Sequence, residues 1–377
     1  MEKIIIVVKQ TPIKLLTMEY PPVRGGAGVY CEELAHTATN MGANLEVLAP
    51  RCSHTKSPVK IFELPFKGSQ GWGCSLRIRK FLQKIKLHEV ILHIADSGAL
   101  RALIRFGWTL PKTARLIITI HGSEIPKFSR NPIEVILFKN LLKRSEKIHV
   151  LSKFNQKKVI QFFPQIKNRI FLIPGAPARR ILPDEIPLLN RNYNREHLVL
   201  LCVGRIHPRK GQFELLNAVE QLPSHLKELI TCRFVGPYIK KGYAKKVLHK
   251  AKSVGCEVQF SGDLNNEDLK RAYQDADLFA LTSIPKAKSV EGFGFVYLEA
   301  SAHGLPILAH RVGGVDNAVI DGKTGVLCEP DKPDQLKEKL RQLIENPEMR
   351  MNLGKAGMKW AALHNWKDVA QKLYDFD

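Results

Sequence analysis

Short, unbroken apolar runs alternate with stretches of helical periodicity along almost the whole chain, and few architectures accommodate that rhythm. In the first half the runs are Ile4–Val8, Leu45–Ala49, Val90–Ile94, Leu116–Ile120, Lys147–Leu151 and Ile170–Ile173. Helical stretches such as Val29–Met41, Leu76–Leu87 and Ile133–Leu142 lie between them. The runs are continuous rather than alternately polar, which marks parallel strands covered on both faces. Met1–Lys9 has too short an apolar core for a signal peptide and reads as a buried first strand. The rhythm breaks at Pro174–Pro177 and over Pro183–Arg195, where Pro, Asn and Arg accumulate without periodicity. A second series then places strands at Leu198–Val203, Arg233–Val235, Val258–Phe260, Leu278–Leu281 and Pro306–Ala309. Its helices include Phe213–Gln221, Ala244–Val254, Glu267–Ala276 and Phe295–His303, and Gln335–Glu345 and Trp360–Tyr374 are amphipathic near the end. The pattern predicts an α/β protein with two doubly wound domains and a cleft between them. The N-terminal domain spans 1–180, a linker 181–195, the C-terminal domain 196–358, and a terminal helical segment 359–377. Open sheets of this kind bind ligands outside the C-terminal ends of their strands.

Composition removes several classes. Of the 377 residues 44% are hydrophobic and 25% charged, an ordinary globular balance that excludes a disordered or fibrous chain. No apolar run approaches the ~18 residues that would suggest a membrane span. Seven cysteines, an odd number without CxxC pairs, fit free thiols in a reducing compartment better than a disulfide framework. The net charge of +22 is unevenly placed. Residues 1–180 hold 30 Lys/Arg against 11 Asp/Glu, a balance of +19, whereas residues 181–377 hold 28 against 25, a balance of +3. A basic half of that size points to an anionic partner: nucleic acid, an anionic membrane surface or a phosphate-bearing substrate.

Two glycine-bearing segments follow strands of the second half. Gly204-Arg-Ile-His-Pro-Arg-Lys-Gly211 leaves the strand Leu198–Val203 and enters a helix. A turn at that junction offers backbone N–H groups and a helix N-terminus to an anion, and Arg205 and Lys210 add a fork and a point charge. A solvated basic loop is the plainer alternative. Ser289–Glu299 carries Glu291 in a loop and Glu299 one or two turns into the next helix, with Gly292 and Gly294 between them. The glycines let backbone approach a ligand closely, a loop glutamate accepts hydrogen bonds from sugar hydroxyls, and a second glutamate can hold a ribose diol. Two surface glutamates are the plainer alternative here. In the first half, Gly25-Gly26 precedes a helix, and His121-Gly-Ser-Glu124 follows Leu116–Ile120, which puts His121 at the C-terminal mouth of its strand. His and Glu are not clustered at metal-ligand spacing, so no metal is expected.

Taken together these residues resemble retaining glycosyltransferase family 4, the glycosyl transferases group 1, which has the GT-B fold. The resemblance rests on Gly204-Arg205 with Lys210-Gly211, on Glu291-Gly-Phe-Gly through Glu299, on Gly304–Ala309 before Gly313-Gly314, and on Asp321–Gly325. It covers nearly the whole second domain, and the Glu-x7-Glu arrangement with the upstream Arg and Lys is its specific part. The loop Tyr20–Val29, His121 and Val150-Leu-Ser152 are similar to the family's first domain. Two positions depart from the pattern. Asn317 stands at an acidic slot after Gly313-Gly314, and Pro174-Gly-Ala replaces an Asn-Gly after Ile170–Ile173.

The resemblance implies two Rossmann-like domains facing a central cleft, with Trp366–Tyr374 crossing back to the first. It implies a hexosyltransferase-type reaction, retaining and metal-independent, with no cofactor and a nucleotide-diphosphate sugar as donor. Its catalytic residues would be His121, Arg205, Lys210 and Glu291, and its donor-binding residues Gly25, Gly26, Gly292, Phe293, Gly294 and Glu299. Arg205, Lys210 and the Gly25-Gly26 amides would stabilise the leaving diphosphate, and Glu291 with the Phe293 and Gly294 amides would position the sugar. Glu299 would hold the ribose, and His121 would orient groups near the sugar. The leaving phosphate would take the acceptor proton, so no protein nucleophile is required.

The acceptor belongs to the first domain in this fold class, which here is the basic half. Ser75–Lys86 mixes Leu76, Phe81, Leu82 and Ile85 with five basic residues, after the loop Gly71-Trp72-Gly73. Such a helix either lies on an anionic membrane or turns its apolar face to the core. The expectation is a cytoplasmic enzyme, peripheral at the inner face of a membrane. It would extend a lipid-linked or membrane-surface glycan in polysaccharide- or lipopolysaccharide-type biosynthesis. A non-catalytic relative that binds sugar nucleotides is one alternative. A basic nucleic-acid-binding protein is another, but the chain has no helix-turn-helix, zinc-finger or RNA-recognition signature, so nucleic acid is not an expected partner.

Overall fold

A computed structural model describes residues 11–21, 25–50, 58–64, 71–129, 131–183, 191–286 and 290–376. The chain divides into two compact units. Unit 1 takes Met1–Leu151, Asn155–Ile173 and Trp366–Asp377, and unit 2 takes Ser152–Phe154 and Pro174–Asn365. The division at Ile173/Pro174 falls earlier than the expected linker over 181–195. The reason is packing. Within that stretch Arg191 donates to the carbonyls of Tyr273 and Ala276, and the Tyr193 hydroxyl donates to the Gly304 carbonyl, so both residues are tied into unit 2.

Unit 1 is built on a parallel sheet of β1 (Ile13–Leu16), β2 (Leu45–Pro50), β3 (Lys60–Leu64), β4 (Ile91–Ile94), β5 (Arg115–Ile120), β6 (Lys147–Val150) and β7 (Ile170–Leu172). Their spatial order is β3-β2-β1-β4-β5-β6-β7, so the winding reverses between β1 and β4. Helices α1 (Gly26–Asn40), α2 (Trp72–Lys84), α3 (Ser97–Phe106), α4 (Glu124–Phe128), α5 (Pro132–Arg144) and α6 (Lys153–Phe162) connect the strands. Every residue of β4 and β6 is buried, and in β5 all but Arg115, as continuous apolar runs covered on both faces require. Ile4–Val8 lies outside the described residues, and the first described strand is Ile13–Leu16. In α2 the apolar side goes to the core: Cys74, Ile78 and Leu82 are buried, with Phe81 and Ile85 packed against the same cluster. The apolar face of Ser75–Lys86 is therefore not free to lie on a membrane.

Unit 2 repeats the plan with β8 (Leu198–Val203), β9 (Ile230–Val235), β10 (Glu257–Gly262), β11 (Leu278–Leu281), β12 (Ile307–His310) and β13 (Gly325–Cys328), all parallel in the order β10-β9-β8-β11-β12-β13. Its helices are α7 (Gln212–Glu220), α8 (Ser224–Lys227), α9 (Lys241–Ala251), α10 (Asn266–Asp275), α11 (Phe295–Ala302), α12 (Val315–Ala318), α13 (Pro333–Glu345) and α14 (Pro347–Ala362). α13 shows the rule at work: Leu336, Leu340, Leu343 and Ile344 recur at helical spacing and are its buried residues. Trp360–Tyr374 is two helices rather than one. α14 ends at Ala362, and α15 (Trp366–Tyr374) begins after a short break and belongs to unit 1. There it buries Trp366, Val369, Ala370, Leu373 and Tyr374.

Candidate functional site

In unit 2 the winding reverses between β8 and β11, and the sequence-predicted residues gather where these strands end. After β8 the chain turns at Gly204 and makes a short 3-10 turn at Pro208–Lys210, with the His207 ring accepting from the Arg209 amide at 3.1 Å. Gly211 then opens α7 with φ +71°, and a Cβ there would lie 1.8 Å from the Thr282 carbonyl oxygen. The tight turn aims two cations back at the sheet. Lys210 Nζ lies 2.8 Å and Arg209 Nη1 2.7 Å from Glu291 Oε2, and the Ser283 hydroxyl, just past β11, donates to the same oxygen at 3.2 Å. Glu291 itself is buried. Burial alone would raise its carboxyl, but the charges of Lys210 and Arg209 outweigh that and hold it far below the usual carboxylate range. Burial lowers Lys210 from the ordinary lysine value, and Glu291 opposes that shift. Glu291 is thus held as an anion by its two cations and is suited to accept hydrogen bonds.

The loop carrying Glu291 is clamped from behind. Gly313 has φ +63°, and a Cβ on it would lie 2.1 Å from the Glu291 carbonyl oxygen. The Gly314 amide donates to that oxygen at 2.8 Å. Phe293 is buried, and Gly294 precedes the first turn of α11, whose Tyr297 hydroxyl donates to the Leu281 carbonyl at 2.9 Å. Glu299 lies one turn into α11, is buried, and accepts from the Tyr273 hydroxyl at 2.9 Å. Asn317, at the departing position, accepts from the Lys153 amide at 3.0 Å.

Lys210 and Glu291 are therefore brought together, with Gly292, Phe293 and Gly294 in the connection that follows. Arg205 is exposed, and its carbonyl accepts from Gln212 at 3.0 Å; the arginine on Glu291 is Arg209. Arg209, Ser283 and Tyr273 join the site without belonging to the residues expected from the sequence. Arg209 sits beside Lys210 in the same loop, and the 3-10 turn is what aims it at Glu291.

Gly25, Gly26 and His121 belong to unit 1. Gly25 is extended at the N-terminus of α1, and Gly26 is exposed in its first turn. His121 follows β5, and its Nε2–H donates to the Ala95 carbonyl at 2.8 Å, so in the neutral ring Nδ1 is the acceptor nitrogen. The Tyr30 ring and the imidazole lie near perpendicular, with centroids 5.1 Å apart. At the reversal point, buried Asp96 accepts from Thr17 Oγ1 at 2.5 Å, from the Met18 amide, and from the Gly98 and Ala99 amides at 2.6 and 3.0 Å. It pins the chain leaving β1 to the start of α3. Among the described residues no three of His, Cys, Asp and Glu converge as a metal site.

A buried polar network lies beneath α1 and α15. Thr119 Oγ1 lies 2.8 Å from His93 Nε2, 3.0 Å from the Tyr30 hydroxyl and 3.1 Å from His149 Nδ1, and His93 Nδ1 lies 2.7 Å from the Tyr374 hydroxyl. His149 Nε2–H donates to the Ile173 carbonyl at 2.8 Å. Burial lowers both rings, His149 to about 4, and both are neutral near pH 7.

Comparison with known proteins agrees with this arrangement. The family of glycosyl transferases group 1 matches residues 190–360, and Glycosyltransferase Family 4 matches residues 24–176. D-inositol 3-phosphate glycosyltransferase of Corynebacterium diphtheriae is 34% identical over 93% of this chain and 88% of its own length. GDP-mannose-dependent alpha-(1-6)-phosphatidylinositol monomannoside mannosyltransferase of Mycobacterium tuberculosis is 26% identical over 97% of each chain. Among solved structures, HepE of Anabaena in complex with UDP and glucose is similar with a TM-score of 0.75 and 21% identity, over 97% of this chain and 99% of the other. Two parallel Rossmann-like units, the gathered Lys210 and Glu291, and family matches over both halves lead to one conclusion: the chain belongs to glycosyltransferase family 4 and has the GT-B fold.

Proposed function

We propose that this glycosyltransferase moves a sugar from a nucleotide-diphosphate sugar to an acceptor with retention of configuration and without a metal ion. The observation that carries the reading is the cluster of Arg209 and Lys210 on buried Glu291 and Ser283 at the ends of β8 and β11. Breaking the glycosyl–phosphate bond places negative charge on the departing diphosphate. Lys210 and Arg209, with Arg205 from the same loop, stabilise that charge without having to move far, the kind of fixed electrostatics that dominates many catalysed reactions. Glu291 keeps both cations in place and accepts hydrogen bonds from sugar hydroxyls. Glu299, held by Tyr273, takes the ribose hydroxyls. Gly25 and Gly26 at the start of α1 and His121 after β5 are the residues of unit 1 that the family resemblance assigns to donor binding.

The acceptor oxygen bonds to the anomeric carbon as the bond to the phosphate oxygen breaks. The acceptor's proton passes to that same phosphate oxygen, so attack and departure share one face and configuration is kept. No metal or protein nucleophile enters this scheme. Glu291→Ala and Lys210→Ala are each expected to lower turnover by roughly tenfold or more. Proton NMR of the first product formed should show the donor's anomeric configuration. An inverted product, or near wild-type rates in both variants, would sink this reading.

The acceptor we propose is a lipid-linked or membrane-surface glycan, met by an enzyme peripheral at the cytoplasmic face of a membrane. The +19 balance of residues 1–180 supports this, as does the phosphatidylinositol-based acceptor named for the mycobacterial relative. Among the described residues no helix is long and apolar enough to cross a membrane. The relatives' names carry GDP-mannose in one case and UDP in another, so the base of the donor is left to experiment.

A further inference from the structure

The core claims the apolar side of α2, yet the same layer of helices turns large apolar groups outward. Trp72 at the start of α2 is 60% exposed, Trp108 just after α3 71%, and Ile133 and Ile136 on α5 are 68% and 59% exposed. Leu76, one turn after Trp72, is exposed as well. These groups are set by the packing rather than scattered. The Arg105 guanidinium lies 4.1 Å from the centre of the Trp72 ring. It also donates to Ser75 at 3.1 Å and to Glu134 at 3.3 Å, tying the starts of α2 and α5 to the end of α3. Arg79 sits over both the Phe106 and Trp108 rings, 5.4 and 5.5 Å from their centres. Two arginines thus brace two exposed indoles at the surface.

Charge selects the occupant. Between residues 71 and 144 the sequence holds fourteen Lys/Arg and four Asp/Glu. Of the four acids, Asp96 and Glu124 are buried and Glu134 is paired with Arg105, which leaves Glu89. Exposed Arg77, Lys80 and Lys84 continue along α2 beyond Trp72, and Lys139 and Lys143 continue along α5 beyond Ile136. Each helix therefore presents an apolar start followed by a basic stretch. Indoles favour the polar–apolar boundary of a bilayer, short aliphatic groups enter it, and each nearby basic residue adds attraction to anionic headgroups. A folded protein partner would call for a contiguous apolar patch rather than separate anchors among bases.

We infer that the outward face of the α2–α3–α5 layer docks on an anionic lipid bilayer, with Trp72, Leu76, Trp108, Ile133 and Ile136 as its inserting groups. The inference deepens the membrane-acceptor reading above and rests on it, and it moves the docking surface from the apolar side of one helix to a face built by three.

The test is co-sedimentation of the full chain with vesicles of phosphatidylcholine alone and with about one-third phosphatidylglycerol, alongside tryptophan emission. The expected result is binding to the anionic vesicles with a blue shift of emission. The Trp72→Ala/Trp108→Ala variant should lose about tenfold in partitioning, and so should Ile133→Ser/Ile136→Ser, which leaves the arginine-braced rings intact. Melting temperature and the donor-induced melting shift should be unchanged in both. Wild-type binding retained in full by both variants would overturn this surface and leave the membrane reading standing. Indifference of the wild type to both vesicles would overturn the surface and the membrane reading together. Equal binding to neutral and anionic vesicles would overturn the basic contribution. A concentration-dependent dimer, lost in the variants and without vesicle binding, would reassign the face to a second copy of the chain.

Discussion

Glu291 joins two cations and a hydroxyl at one buried oxygen, so its neighbours should be as sensitive as the residue itself. Arg209→Ala removes one of the two charges that keep Glu291 ionised in a buried site. It should lower donor turnover at least as much as Arg205→Ala, and kinetics of the two variants side by side checks that order. Tyr273→Phe deletes the hydroxyl held by Glu299, with an expected loss of about 1 kcal/mol in stability and weaker nucleotide binding, measured by denaturation and calorimetry. The motif made Lys210 and Glu291 legible in the sequence, because their spacing from neighbouring glycines is distinctive. Arg209 was hidden by a choice among basic residues in one loop, which the 3-10 turn alone decides. Ser283 lies eight residues before Glu291, at the end of β11, and Tyr273 lies 26 residues before Glu299, in α10; both reach the motif through the fold rather than through its spacing.

At the scale of elements, two loops depend on backbone that tolerates no side chain. Gly211→Ala places a Cβ against the Thr282 carbonyl at a positive φ. It should cost on the order of 2 kcal/mol or more, read as a lower melting temperature of unit 2. The histidine network predicts a pH dependence in unit 1. His93 and His149 have pKa values below the unfolded value of about 6.5, so the unfolded chain binds the extra protons. The stability they contribute is fully present above about pH 6.5 and is lost as pH falls toward the folded values, near 4 for His149. For His149 alone that is about 3 kcal/mol. Hydrogen exchange in α1 and α15 should accelerate over this range, and His149→Gln should be less stable at neutral pH with a flatter dependence. Which strands the sequence disclosed follows the same physics. Leu198–Val203 and Leu278–Leu281 are central, apolar throughout and read directly, with the bounds found in the structure. Lys60–Leu64 and Gly325–Cys328 went unread: each is a short edge strand, the first with charged residues facing solvent. Ile13–Leu16 was overshadowed by the more apolar Ile4–Val8 and carries Lys14, whose ammonium pairs with Glu46.

For the whole molecule, the charge asymmetry and the site divide the work between the two units. Unit 2 carries the smaller share of the excess positive charge and gathers Arg209 and Lys210 on a buried carboxylate, an arrangement suited to one small anionic donor. Unit 1 carries most of the excess positive charge, much of it exposed, an arrangement suited to an extended anionic surface. In the proposed function a nucleotide-diphosphate sugar is held by Arg209, Lys210 and Glu291. Thermal melting of the wild type and Glu291→Ala against a panel of nucleotides and nucleotide sugars tests it most directly. A ligand at about one hundred times its dissociation constant adds about 2.7 kcal/mol, a readily seen shift. The expected result is a shift for one base family, with the extra gain from the sugar nucleotide lost in Glu291→Ala. A flat response of the wild type to the whole panel, or an equal sugar-nucleotide shift in the variant, would contradict it.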